Sequence, residues 1–179
     1  MPDARQPMVA AILPGETDGY DDLLLQLAAD LRQQGWRVRG LVQRRCPEEG
    51  SCRLALIDLD QGVVHEITQD LGSGASACAL DVQVMADLSG ILRRIAREGA
   101  DLVMVNRFGK LESTGEGFAA EMLALMSQGI PVLTVVQAAY QPAWETFTGG
   151  LAQTLPAERA AIEGWCRQAM SDVRLIPAD

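Results

Sequence analysis

The chain has one histidine and four cysteines, and no apolar run near the length a membrane helix needs, roughly 20 residues. With His65 as the only imidazole, any Ser-His-Asp or Cys-His arrangement would have to be built on it, and it falls in a hairpin-like stretch where an exposed strand position is expected. Cys46 and Cys52 have five residues between them and no matched second pair, unlike the close ligand spacing of a structural zinc site. Basic runs are also missing. Arg44-Arg45 and Arg93-Arg94 are isolated pairs in a chain of net charge −9, and a field of that sign repels nucleic acid and anionic membrane. Met1 to Pro7 carry no apolar signal core. The expectation is a cytoplasmic protein with no nucleic-acid partner and no membrane insertion, its cysteines (46, 52, 78 and 166) reduced.

A phosphate-gripping lysine is absent where one would be expected. The strand-like run Met8-Val-Ala-Ala-Ile-Leu13 leads through Pro14-Gly-Glu-Thr-Asp-Gly-Tyr-Asp21 into an amphipathic helix. A P-loop at this place ends in Gly-Lys-Ser/Thr, the lysine neutralising phosphate and the hydroxyl holding magnesium. After Gly19 the corresponding residues are Tyr20 and Asp21, and Glu16 and Asp18 add further negative charge. The loop favours ligand binding without hydrolysis.

What is present is a core. At 179 residues and 48% hydrophobic composition, the chain can bury one large apolar centre, so 1–179 reads as a single domain. Helical spacing covers 21–34, closed by Gly35, and Met85, Leu88, Leu92 and Ile95 mark a second helix closed by Gly99. Strand patterns occur at 37–43, 53–59 and 63–67, the last two flanking the hairpin turn Asp60-Gln-Gly62. Leu102-Val-Met-Val105 and Pro131 to Val136 are continuous apolar runs, typical of strands buried on both faces. A helix follows Phe118, a short one follows Pro142, Pro156 opens a last helix, and 173–176 suggests a final strand. Alternating strands and helices imply an α/β fold: a three-layer, mostly parallel sheet carrying an antiparallel hairpin.

In such sheets ligands sit beyond the carboxyl ends of the strands. Three segments lead there: the turn after Leu13, the glycine- and serine-rich loop 72–78, and the loop 106–112. Gly72, Ser73, Gly74, Ser76 and Cys78 offer backbone N–H groups, two hydroxyls and a thiol, the makings of an oxyanion nest; the plainer reading is a flexible connection into a helix capped by Asp81. Nucleotide hydrolases commonly end a buried strand here with magnesium-binding carboxylates. This chain has Asn106 and Arg107, followed by Gly109, Lys110 and Glu112. Arg107 and Lys110 suit an anion; alternatively they form a solvated ion-pair cluster with Glu112.

Gln69-Asp-Leu-Gly72, Cys78-Ala-Leu-Asp81, Val105-Asn-Arg-Phe-Gly-Lys110 with Glu112, Gly115-Glu-Gly117, Gly129-Ile-Pro-Val-Leu133 and Trp144 with Gly149-Gly150 together resemble an uncharacterised bacterial domain family found beside molybdate-transport and molybdoenzyme genes. That family is in turn similar to the small P-loop nucleoside-triphosphatases of thermophiles. The resemblance covers most of the chain and implies a degenerate P-loop scaffold and a molybdenum setting, with cysteines at the places of Cys52 and Cys78. Ala79 stands where the family pattern carries a basic residue.

Three functional readings follow. The first is a binding protein for a small anion, molybdate or another oxyanion or a phosphate-bearing ligand, held by the 72–78 and 106–110 loops. The second is a nucleoside-triphosphatase in which Lys110 replaces the missing lysine and Glu112 activates water. The third is a protein-interaction module anchored by Trp144, Phe147 and Trp165. Homo-oligomerisation is left open by the sequence.

Overall fold

The computed structural model describes residues 8–15, 19–45, 53–69, 79–105 and 107–175. The first strand, β1 (Val9–Leu13), is followed by α1 (Tyr20–Gln33), β2 (Val38–Arg45) and the hairpin β3 (Leu54–Asp58) and β4 (Val64–Glu66). A two-stranded ribbon, β5 (Thr68–Gln69) and β6 (Ala79–Leu80), leads into α2 (Val82–Glu98) and β7 (Leu102–Val105). After the short α3 (Lys110–Ser113) come α4 (Ala119–Ser127), β8 (Val132–Val135), α5 (Gln141–Thr148), β9 (Gln153–Pro156) and α6 (Arg159–Arg174).

Seven strands form the main sheet in the order β4-β3-β2-β7-β8-β1-β9. Five of them run parallel, from β2 through β7, β8 and β1 to β9. The hairpin extends the sheet antiparallel at the β2 edge, as the Asp60-Gln-Gly62 turn implies. The architecture is the α/β, mostly parallel, hairpin-bearing fold that the apolar patterning predicts.

Strand pleating sorts the core into two layers, because successive side chains leave a strand on opposite faces. Ala10, Ile12, Leu102, Met104, Leu133 and Val135 face Leu24, Leu27 and Leu31 of α1 and Ile162, Trp165 and Cys166 of α6. Val9, Ala11, Val103, Val105, Val132 and Val136 face Leu88, Leu92 and Ile95 of α2, with Met122, Leu125 and Trp144. Burial pushes the Cys166 thiol up to about 12, so this cysteine is an inert core residue.

Two local expectations are corrected. Pro156 ends a strand instead of opening the last helix, and 173–174 finish that helix instead of forming a strand. β9 is an edge strand with only Leu155 buried, so it lacks the alternating apolar signal. Proline is tolerated at an edge because no ladder hydrogen bond is lost there.

Gly40, in the middle of β2, has φ of +122°, and a Cβ added there would fall on the Met104 carbonyl oxygen of β7. Backbone freedom and close strand approach both require glycine at this position. Gly40→Ala should lower unfolding free energy by at least about 2 kcal/mol, measured by urea denaturation.

Candidate functional site

The loop after β7 is held by a carboxylate and an aromatic anchor. Phe108 lies beside β8, its N–H donating to the Val135 carbonyl at 3.1 Å. Its ring packs edge-on to Trp144 at 5.0 Å and against Phe147 at 5.1 Å. Glu112 is buried, and both its oxygens are taken by backbone donors: Gly109 N–H at 3.0 Å and Phe118 N–H at 3.1 Å. Gly117 completes this clamp, because a Cβ there would collide with Glu112 Oε1. The geometry gives Glu112 the work of shaping the loop, since a water-activating base needs a lone pair aimed at its proton.

With Phe108 directed inward, Arg107 turns toward the start of α1. Its Nη2 lies 3.5 Å from Asp21 Oδ2, the two side chains 16% and 14% exposed. Its guanidinium carbon lies 5.0 Å from the Tyr20 ring centroid, within cation–π range. Nε and Nη2 are buried and have no hydrogen-bond partner among the described residues. The two positions at which a P-loop carries lysine and hydroxyl are therefore tyrosine and aspartate, and the strand-end position that should be acidic is an arginine. Negative charge thus stands at the helix start and positive charge at the strand end. The ion pair joins the end of β7 to the first turn of α1, the helix that follows β1, and β7 and β1 are separated in the sheet by β8.

Beside this pair lies a cleft of about 210 Å³, lined by Arg107, Gly109 and Lys110 from the loop and by Gln43, Leu54, Leu56, Ile67, Leu80, Met85, Leu111 and Phe118, with Glu112. Three residues proposed from sequence thus share one cavity at the carboxyl rim of β2 and β7. Asn106, Gly72, Ser73, Gly74, Ser76 and Cys78, and with them Cys52, lie outside the described residues. The residues that bracket the 70–78 segment are described. Ile67 and Leu80 line the cleft, the β5–β6 ribbon brings Gln69 opposite Ala79, and Gln69 Nε2 donates to Asp81 Oδ2 at 2.8 Å. Asp81 also caps α2, accepting from Gln83 and Val84 N–H.

The Gln69 hydrogen bond, then those from the Val84 and Gln83 amides, hold the Asp81 carboxyl below the usual carboxylate range. A depressed folded-state pKa adds stability above the unfolded value, and that contribution disappears as pH falls through the folded one.

Lys110 is exposed, and it is the only lysine in a chain whose other fourteen Lys+Arg residues are arginine. Its place in the loop singles it out by position, and simple counting singles it out again by scarcity. Glu112 also stands out in the sequence, but its two backbone partners become visible only in three dimensions. His65 is half-buried on the edge strand β4 instead of exposed. Trp144 and Trp165 are buried and Phe147 packs on Phe108, so these rings form core and not a docking face.

A family model described as a protein of unknown function (DUF2478) matches residues 9–165. The molybdenum import ATP-binding protein ModC 2 of Bradyrhizobium diazoefficiens is 40% identical over 173 residues, which cover 96% of this chain and 19% of that protein. The chain thus corresponds to a minor part of that relative's length. The solution structure of a human cancer-related nucleoside triphosphatase covers 98% of this chain and 100% of its own, with a TM-score of 0.64 at 14% identity. That likeness is one of fold.

Removing either member of the Arg107–Asp21 pair takes the counter-charge from a largely buried group. Arg107→Met and Asp21→Asn should each cost about 1–3 kcal/mol, with the double variant at least about 1 kcal/mol better than their sum, read by a denaturation double-mutant cycle. Glu112→Gln retains one acceptor oxygen and should cost about 1–3 kcal/mol in the same assay. Below about pH 4, the wild type should lose thermal stability more steeply than Asp81→Asn, followed by circular dichroism melts.

Proposed function

The chain belongs to the DUF2478 family, and from that membership we propose that it is a small-anion-binding module built on a nucleoside-triphosphatase-like scaffold that no longer grips a triphosphate. The observation that carries this reading is that Arg107, Gly109 and Lys110 open into one cleft with Ile67 and Leu80, which lie shortly before and after the glycine- and serine-rich 70–78 segment in the sequence. Cationic side chains at a strand-end rim supply the charge-assisted donors that an oxyanion or phosphate group requires. Gly72, Ser73, Gly74, Ser76, Cys78 and Asn106 would complete the donor set. Molybdate is the first ligand to test, because the 40%-identical relative carries molybdenum import in its name.

Nucleotide hydrolysis is the weaker reading. The Asp21 carboxylate stands where a hydroxyl would hold magnesium, Arg107 where an acidic pair would polarise water, and both Glu112 oxygens accept backbone N–H groups. The fold likeness alone gives no activity. Magnesium-dependent phosphate release from ATP or GTP by the purified protein, abolished in Glu112→Gln, would restore that alternative.

For the anion reading, thermal melts with molybdate, tungstate, sulfate or phosphate are the test. An anion present at 100 times its dissociation constant adds about 2.7 kcal/mol of stability. At least one of the four should raise the melting temperature of the wild type, and Lys110→Ala should diminish that rise. No shift with any anion, or an undiminished one in the Arg107→Ala/Lys110→Ala variant, counts against the site.

A further inference from the structure

We propose that the ligand of this cleft is an anionic head, carboxylate or phosphate, joined to an apolar body of about one or two rings. The inference rests on the anion-binding reading and narrows it. Leu54, Leu56, Ile67, Leu80, Met85, Leu111 and Phe118 supply most of the cleft wall among the described residues, with Arg107 and Lys110 as its cations. A bare tetrahedral oxyanion accepts hydrogen bonds on every side. Against such walls some of its acceptors would face hydrocarbon, which is costly, so a bare oxyanion binds here more weakly than an anion that carries an apolar body. Ligand sites that are mainly apolar with a few fixed polar groups instead orient a molecule that is itself mostly apolar.

The apolar surface continues past the cleft. Leu80, Met85 and Leu111 also line a second groove of about 340 Å³, together with Val82, Ala86, Ser89, Glu116 and Gly117. Val82 is 81% exposed and Leu80 38% exposed, leaving hydrocarbon at the helix start that nothing in the described fold covers. Charge sorts the two ends of this trough. The cations lie at the cleft end and exposed Glu116 at the groove end, which disfavours a second anionic group there. The two volumes suit a small molecule, whereas a folded partner buries roughly 800 Å² per side.

Lys110 provides the readout. As the chain's only lysine, it is the one side-chain amine that an acylating reagent can modify, and mass spectrometry separates its peptide from the α-amino terminus. Protection of Lys110 is measured with two head-matched pairs, 2-naphthoate against acetate and 2-naphthyl phosphate against inorganic phosphate. Molybdate and neutral 2-naphthol are run beside them. In at least one pair the naphthyl member should protect at a concentration tenfold or more below its bare partner, about 1.4 kcal/mol, and naphthol should not protect. Met85→Gln, and the more exposed Val82→Asn in case the first fails to fold, should shrink that advantage below about threefold.

The inference is overturned if bare acetate, phosphate or molybdate protects as well as the naphthyl compounds, an outcome that leaves the anion site standing. It also fails if naphthol protects equally or if both wall variants retain the full advantage. If no anion of any kind protects Lys110, the anion reading itself fails.

Discussion

A guanidinium largely removed from water needs a counter-charge, and that requirement organises the carboxyl rim of this sheet. Arg107 leaves the end of β7 and meets Asp21 at the first turn of α1, so two loops from distant parts of the chain are tied by one ion pair. In a nucleotide hydrolase of this shape the phosphate and its metal would link the same two loops. Here the linkage is internal. A carboxylate at the helix start also repels the anionic groups that a free helix N-terminus attracts. Where a nucleotide hydrolase of this shape would hold phosphate, this chain has a carboxylate paired with a guanidinium.

The cleft lies to one side of this pair. The cleft opens beside β2 and the hairpin, walled by β3, the β5–β6 ribbon and the start of α2. Its floor depends on the loop that Glu112 and Phe108 hold in place. The residues of 107–112 divide the work among them. Arg107 ties to α1 and Phe108 anchors in the aromatic cluster. Gly109 and Glu112 fasten the short helix, Leu111 lines the cavity, and Lys110 is left exposed.

The parts of this fold that are readable from sequence are those in which a local pattern dominates. Leu102 to Val105 and Val132 to Val135 are unbroken apolar runs, and they are fully buried strands. Asp60-Gln-Gly62 between two alternating stretches marks the hairpin. β9 escapes such reading because an edge strand with a single buried residue has little pattern, and Pro156 resembles a helix start. For the site, a glycine-bearing charged segment off a buried strand is enough to select Arg107, Gly109 and Lys110. The partner of Arg107 cannot be found the same way, because strand order decides which distant loop it meets. In the sequence, Tyr20 and Asp21 draw notice only for the lysine and hydroxyl they replace. Their contact with Arg107 becomes visible only in the fold.

The hairpin links the cavity wall to the core. It joins the sheet at an outer edge through antiparallel pairing, outside the five parallel strands around which both helical layers pack. Leu54 and Leu56 from its first strand nonetheless furnish part of the cavity wall. Leu56 belongs at the same time to the core layer under α2, with Leu54 packed against it, so the shape of the cavity wall and the packing of that layer are set by the same two side chains.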